Sequence, residues 1–189
     1  MAIINKRAKT NYAFIDSQNL NLGTQRMGWK MDWRKFREYL RAEYNVSHAY
    51  MFIGYMHENE QLYEYMHELG FLVVLKPTVD VTPSPEHDSK DGKDGKKDKE
   101  KPVVKGNVDA DLVLYAMKEL PNYDKAILVS GDGDFLALVE YLEQKGKLAS
   151  VLTPNWQYSS LFKPYEQYIV RLDQFRRQLS YHDRKKKKK

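Results

Sequence analysis

Carboxylate side chains recur in this 189-residue chain beside short apolar stretches that are widely separated in sequence. Five aspartates share this setting: Asp16, Asp109, Asp111, Asp132 and Asp134. Each follows a predicted strand or lies in the first turn of a predicted helix. Carboxylate oxygens in such positions can act as general bases or as ligands of hard divalent cations such as Mg²⁺ and Mn²⁺.

The densest of these stretches reads Ser-Gly-Asp-Gly-Asp-Phe over residues 130–135. Gly131 and Gly133 are predicted to let the backbone turn sharply and to leave the two acids uncovered. Taken singly, Asp111 or Asp134 is better explained as a helix cap or as a first-turn acid, which the helix dipole stabilises by about 0.3 to 1 kcal/mol.

Taken together, the aspartates need a further explanation. Four or five acids at one edge of a sheet repel one another and lower stability unless a cation or a bound proton compensates. Mg²⁺ and Mn²⁺ suit oxygen-only ligands, keep several waters and are completed by substrate phosphates. The joint pattern therefore indicates phosphate-ester chemistry.

The elements that must position these acids alternate along the chain. Alternation of this kind favours an α/β fold with a mainly parallel sheet, in which ligands bind beyond the carboxyl ends of the strands. The predicted strands are 12–15, 47–53, 71–75, 125–129, 148–152 and 168–172, and the predicted helices are 33–43, 58–69, 109–119, 133–144 and 173–179.

Two segments depart from this alternation. Residues 80–102 carry seven acids and six lysines with almost no hydrophobic residue, which predicts a solvated loop that could also fold over a substrate as a lid. Residues 176–189 carry eight basic residues and one acid, so the rest of the chain is slightly acidic despite the overall charge of +5. We expect one domain over 1–175 and a basic tail over 176–189, either merely solvated or in contact with polyphosphate.

The composition excludes several classes of protein. The chain has no cysteine, so disulfide frameworks, thiolate metal sites and cysteine nucleophiles are excluded. Its apolar runs are too short for a membrane span or a signal peptide, so we expect a cytoplasmic protein with no membrane partner.

Three motifs, in this order and spacing, resemble the NYN domain family and specifically its LabA-like branch, formerly DUF88. They are Phe-Ile-Asp-x-x-Asn ending at Asn19, Lys-Gly-x-Val-Asp ending at Asp109, and the run 130–135. The resemblance covers roughly residues 10 to 175, with the charged segment as an insertion.

The resemblance implies a PIN-like three-layer sandwich, in which a mainly parallel central sheet is flanked by helices. It also implies a Mg²⁺- or Mn²⁺-dependent ribonuclease acting on RNA, which we expect to be single-stranded, and PIN-like folds often form homodimers. The implied catalytic and metal-ligating residues are Asp16, Asp109, Asp132 and Asp134. The implied substrate-binding residues are Asn19 and Lys105, which would contact phosphate, and Ser130, which would orient the turn.

One position departs from the family pattern. Many relatives carry a further aspartate a helical turn or so beyond this motif, and near that position this chain has Tyr115, while Asp111 is a nearby acid that could supply that charge. A module that keeps the fold and binds RNA or protein without turnover is therefore the main alternative. An aspartate-nucleophile phosphatase ranks last, because such enzymes need Asp-x-Asp after the first strand and position 18 is Gln18.

Overall fold

The structure, a computed structural model, describes residues 10–76 and 108–182. The predicted solvated segment 80–102, Lys105 and the lysine run 185–189 lie outside the described residues.

The centre of the fold is a six-stranded sheet in which every pair of neighbouring strands is parallel. The strands lie in the order β3-β2-β1-β4-β5-β6, so β1 and β4 are neighbours in the middle of the sheet. This confirms the predicted α/β class and the parallel sheet. The strands are β1 Asn11–Asp16, β2 Val46–Gly54, β3 Leu72–Lys76, β4 Ala126–Val129, β5 Leu148–Thr153 and β6 Ile169–Arg171.

In the part of the chain that the structure describes, six α-helices connect or flank the strands: α1 Ser17–Arg26, α2 Trp33–Tyr44, α3 Glu60–Glu68, α4 Asp109–Lys118, α5 Leu136–Gln144 and α6 Arg176–Leu179. Short 3₁₀ helices precede three of these, at His57–Asn59, Gly133–Phe135 and Leu172–Phe175, and a further one, Ser160–Tyr168, leads into β6. The predicted helices 58–69, 133–144 and 173–179 therefore each begin as a 3₁₀ turn before they continue as an α-helix.

Two hydrophobic layers sandwich the sheet, because side chains alternate between its faces along each strand. On β1, Ala13 and Ile15 face the layer that α1, α2, α3 and α6 complete. Tyr12 and Phe14 face the opposite layer, which α4 and α5 complete. The arrangement is the predicted three-layer sandwich.

Helix α2 follows the sequence pattern closely. Asp32 caps its first turn by accepting a hydrogen bond from the Lys35 amide at 3.2 Å, and its buried face includes Phe36, Tyr39 and Leu40. The capping residue and the 3.6-residue spacing were both visible in the sequence.

Helix α1 was absent from the predicted elements. Within Ser17–Arg26 only Leu20, Gly23 and Thr24 are buried, so no apolar stripe marks the helix. Gly23 allows the close packing instead, since a Cβ atom there would lie 2.4 Å from the Pro154 Cβ. Tertiary contact thus decides this helix, and the sequence pattern missed it.

Residues 176–182 belong to the folded domain, although the predicted basic tail starts at Arg176. Leu179 is fully buried, and its carbonyl oxygen accepts a hydrogen bond from the Asp32 amide at 2.8 Å. The Arg176 guanidinium donates to the carbonyl oxygens of Met27 and Gly28. Only the residues beyond 182 remain as the candidate tail.

Among residues 10–76 and 108–182, no helix is both long and apolar enough to cross a membrane.

Candidate functional site

Two of the predicted acidic motifs lie at the carboxyl ends of β1 and β4. These two strands pair in parallel with Ile15 opposite Val129, so Asp16 and Ser130 follow at the same edge of the sheet. The strand order changes direction between β1 and β4, and this is where parallel sheets form a crevice for ligands. The topology therefore places two motifs that are more than 100 residues apart at one point.

Asp16 is the most buried of these acids, with 5% of its surface exposed. It ends β1 and caps α1, and its Oδ1 accepts a hydrogen bond from the Asn19 backbone amide at 3.0 Å. Its Oδ2 accepts a hydrogen bond from the Ser130 hydroxyl at 3.1 Å. Both carboxylate oxygens are therefore fixed in orientation, and each keeps a lone pair for a further partner.

Two side chains join the ends of β1 and β4. The fully buried Ser130 hydroxyl donates to Asp16 and accepts from the Asp132 amide at 3.1 Å. The Asn19 side-chain oxygen accepts from the Gly131 amide at 2.9 Å. Because the side-chain oxygen has this structural role, Asn19 would contact a substrate through its side-chain nitrogen.

The turn after β4 carries the next two acids. Asp132 caps the following 3₁₀ turn, and its Oδ1 accepts a hydrogen bond from the Asp134 amide at 3.1 Å. Asp132 is partly exposed and Asp134 is exposed, so both side chains are accessible from solvent.

The glycines of this turn serve a purpose other than the one predicted. Gly131 and Gly133 do not adopt positive φ angles, so a sharp left-handed turn is not what requires glycine here. A Cβ atom on Gly133 would lie 2.4 Å from the Ser159 Oγ, and one on Gly131 would lie 3.2 Å from the Tyr158 Cβ. Glycine is needed because the segment after β5 packs directly onto the turn.

Asp109 reaches the site from the start of helix α4, which packs on β1. It begins α4, is partly buried, and has a raised pKa, first because of burial and then because of the charges of Asp16, Asp132 and Asp134. The pKa of Asp16 is also raised, mainly by burial and in part by Asp132, although hydrogen bonds from Asn19 and Ser130 oppose the rise. Four carboxylates therefore repel one another across one small region.

The chemistry of this donor set fits a hard divalent cation. It consists of carboxylate oxygens, and their mutual repulsion is what a bound cation would relieve. No three acidic or histidine side chains of the described ranges already stand at metal-ligand spacing.

The two residues near the expected further acid of α4 have other partners. Asp111 forms an ion pair with Lys76 at the end of β3, with 2.9 Å between its Oδ2 and the lysine Nζ. Tyr115 packs edge-on against Tyr50 and Phe52, each with a centroid separation of 5.6 Å. Tyr115 is thus a packing residue, and Asp111 is already neutralised by a lysine.

The segment that follows β5 lies outside the three predicted motifs but packs against the acidic turn. The Ser159 amide donates to the Gly131 carbonyl at 2.9 Å, which fixes residues 154–159 beside the acidic turn. Trp156 in this segment is 58% exposed, whereas Trp29 is buried in the core. The path of this segment depends on tertiary packing, which the sequence pattern does not show.

Comparison with known proteins decides the family. The NYN domain family model matches residues 12–171, which is most of the chain and spans β1 to β6. The chain belongs to the NYN domain family. Members of this family are generally nucleases, and the match includes Asp16, Asp109, Asp132 and Asp134.

One curated protein and one solved structure are similar to this chain. The chain is 28% identical over 146 residues to the low amplitude and bright protein LabA of Synechococcus elongatus, covering 75% of this chain and 72% of LabA. The LabA-like resemblance of this NYN protein is therefore confirmed. A crystal structure of a protein of unknown function from Vibrio parahaemolyticus matches with a TM-score of 0.64 at 22% identity, covering 93% of this chain and 98% of that one, and supports the fold alone.

Proposed function

We propose that this NYN protein is a Mg²⁺- or Mn²⁺-dependent ribonuclease that hydrolyses phosphodiester bonds in single-stranded RNA. One observation carries the proposal: the hydrogen-bonded unit of Asp16, Ser130 and Asp132 lies at the crevice of the sheet, and Asp109 is near enough that the charges of these acids add to burial in raising its pKa. Buried, mutually repelling carboxylates cost stability, and such groups concentrate at functional sites.

Asp16, Asp109 and Asp132 would hold the cation, and Asp134 would join them from the exposed rim of the turn. When bound, the cation lowers the pKa of a water molecule and stabilises charge on the phosphate oxygens. The protein orients the carboxylate: the Ser130 hydroxyl and the Asn19 backbone amide each donate to one oxygen of Asp16, so this carboxylate needs no rearrangement before it accepts a ligand.

Substrate contacts would lie around this unit. The side-chain nitrogen of Asn19 would donate to a phosphate oxygen, since the side-chain oxygen already accepts from the Gly131 backbone amide. Lys105, four residues before Asp109 in sequence, is the proposed charged phosphate contact. The exposed ring of Trp156 offers a surface on which an unpaired base can stack.

The decisive experiment is cleavage of a labelled single-stranded RNA by the purified full chain, with Mg²⁺ and Mn²⁺ titrated separately. We expect cleavage that requires the metal and is lost in EDTA. Asp132→Asn should abolish cleavage while the melting temperature stays near that of the wild type. The matched control is Asp124→Asn, because Asp124 is exposed at the opposite edge of the sheet, just before β4.

Full activity in EDTA, or full activity of Asp132→Asn, would contradict the metal mechanism. RNA binding without cleavage at any metal concentration would instead identify the chain as a binding module without turnover. The observation that favours this second function is Tyr115, which fills with aromatic packing the helix position where many relatives carry a further acid.

A further inference from the structure

A cavity of about 320 Å³ lies immediately beside the acidic site. Its walls come from the first turns of α1, from the end of β2 and from α3 with the turn before it. Its lining includes apolar side chains, among them Met51, Ile53 and Leu62, and polar uncharged ones, among them Ser17, Gln18 and Asn59. No motif in the sequence pointed to this cavity.

The cavity is joined to the site through consecutive residues of the chain. Ser17 and Gln18 line it and directly follow Asp16. The Ser17 hydroxyl donates to the Phe52 carbonyl at 2.7 Å, which fixes the first turn of α1 to the end of β2. A ligand in the cavity would therefore lie within one nucleotide of a phosphate held at Asp16, because only one helical turn separates the two.

The lining selects the kind of ligand. Among the described residues, none that lines the cavity carries a charge, so a phosphate group gains no ion pair there. Methionine side chains adapt to flat ligands, and Trp33 adds an aromatic wall. The carboxamides of Gln18, Asn21 and Asn59 can donate to and accept from the edge of a heterocycle. Apolar walls with a few polar groups are typical of sites for small planar molecules.

We propose that this cavity binds one unpaired nucleobase of the RNA strand, next to the phosphate that lies at Asp16. The inference rests on the proposed ribonuclease function and names the part of the substrate that the protein would recognise beside the cleaved bond. An unpaired base enters such a cavity only when it is not stacked in a duplex, so the cavity also accounts for a preference for single-stranded RNA.

The test measures equilibrium binding of a fluorescent single-stranded RNA in the Asp132→Asn background, so that cleavage does not consume the probe. Leu62→Trp fills the rim of the cavity, and Gln61→Trp places the same side chain on the neighbouring exposed position of α3, outside the cavity. We expect Leu62→Trp to weaken binding about tenfold, the range that stacking of one base contributes, and Gln61→Trp to leave it unchanged.

A second pair of variants and a second probe guard against misfolding. Gln18→Ala removes an exposed carboxamide of the cavity, and Gln61→Ala is its control. The second probe is a series of RNAs that each lack the base at one position. When the missing base is the one that the cavity holds, the wild type and Leu62→Trp should bind that RNA equally. Equal binding of intact RNA by Leu62→Trp and Gln61→Trp, together with no effect of Gln18→Ala, would overturn the inference.

Cleavage by the otherwise wild-type chain separates this outcome from failure of the proposed function. If the wild type cleaves RNA and the cavity variants behave like their controls, the ribonuclease stands and the base site is wrong. If RNA binding depends on the cavity while the wild type never cleaves, the base site stands and the ribonuclease is wrong.

Discussion

Asp16 ends a central strand with both side-chain oxygens hydrogen-bonded, whereas Asp109 begins a helix whose capping residue, Val108, offers no side-chain bond. The Asp16 half of the site continues through Ser130 to Asp132 in one connected network. The Asp109 half reaches the site because α4 packs on β1 and buries Leu112 and Ala116.

The two parts of the site are therefore held differently: hydrogen bonds hold Asp16 and Asp132, whereas helix packing positions Asp109. Backbone and side-chain hydrogen bonds hold Asp16 and Asp132 relative to each other, so that part of the site is organised before any ligand arrives. Asp109 is partly buried near the other acids, and burial first, then their charges, raise its pKa.

The largest expected effect comes from removing the central charge. Asp16→Asn should lower RNA cleavage at least about 100-fold, which corresponds to about 2.7 kcal/mol in the barrier. Asp111→Asn should change cleavage less than about threefold, because Asp111 is paired with Lys76 and not with the four repelling acids. Initial rates at saturating metal provide the measurement, and a 100-fold loss in Asp111→Asn would show that the α4 half contains a second essential acid.

Breaking the hydrogen-bonded network should have the next largest effect. Ser130→Ala leaves the buried oxygen of Asp16 and the Asp132 amide without their partner, so the free energy of unfolding should fall by about 1 to 3 kcal/mol. We expect cleavage to fall about tenfold as well, because Asp16 loses its orientation.

The control for this network is Ser150→Ala on the neighbouring strand β5, where the hydroxyl bonds only the adjacent Ala149 carbonyl. This variant should cost less than about 1 kcal/mol in urea unfolding and should keep its activity. Equal losses in the two variants would mean that Ser130 contributes only as a buried serine.

The smallest effect concerns the contribution of the Asp16 charge to the free energy of unfolding. Burial raises the pKa of folded Asp16 above its usual value of 3.8, so the unfolded chain ionises first as the pH rises. Stability is therefore lost progressively above pH 3.8, and the loss is complete once the folded carboxyl has also ionised. In EDTA at neutral pH, Asp16→Asn should gain about 0.5 to 2 kcal/mol, and this gain should vanish below pH 3.8.

Chemical unfolding of both forms across this pH range measures the effect. Saturating Mg²⁺ should stabilise the wild type more than Asp16→Asn, because a bound cation favours only the folded carboxylate site. A stability gain of Asp16→Asn that persists unchanged at low pH would contradict burial of the charge as its cause.

The strongly periodic elements were predictable from the sequence. The cap at Asp32, the apolar spacing of α2 and the alternating strands follow local rules, and the structure confirms them within a few residues. Helix α1 escaped these rules because its buried surface consists of Leu20, Gly23 and Thr24, a set that contains no periodic apolar stripe. The cavity beside it was not predicted either, since its walls belong to several separate elements.

The sequence by itself identified the candidate site residues, because the three aspartate motifs follow predicted strands or begin a predicted helix and match one family over most of the chain. Only the tertiary structure decided how they are used. Parallel pairing of β1 with β4 brings Asp16 to Ser130, close packing of residues 154–159 requires Gly133, and the Lys76 ion pair removes Asp111 from the acidic cluster. Each of these depends on contacts between distant parts of the chain, which local propensity and spacing do not encode.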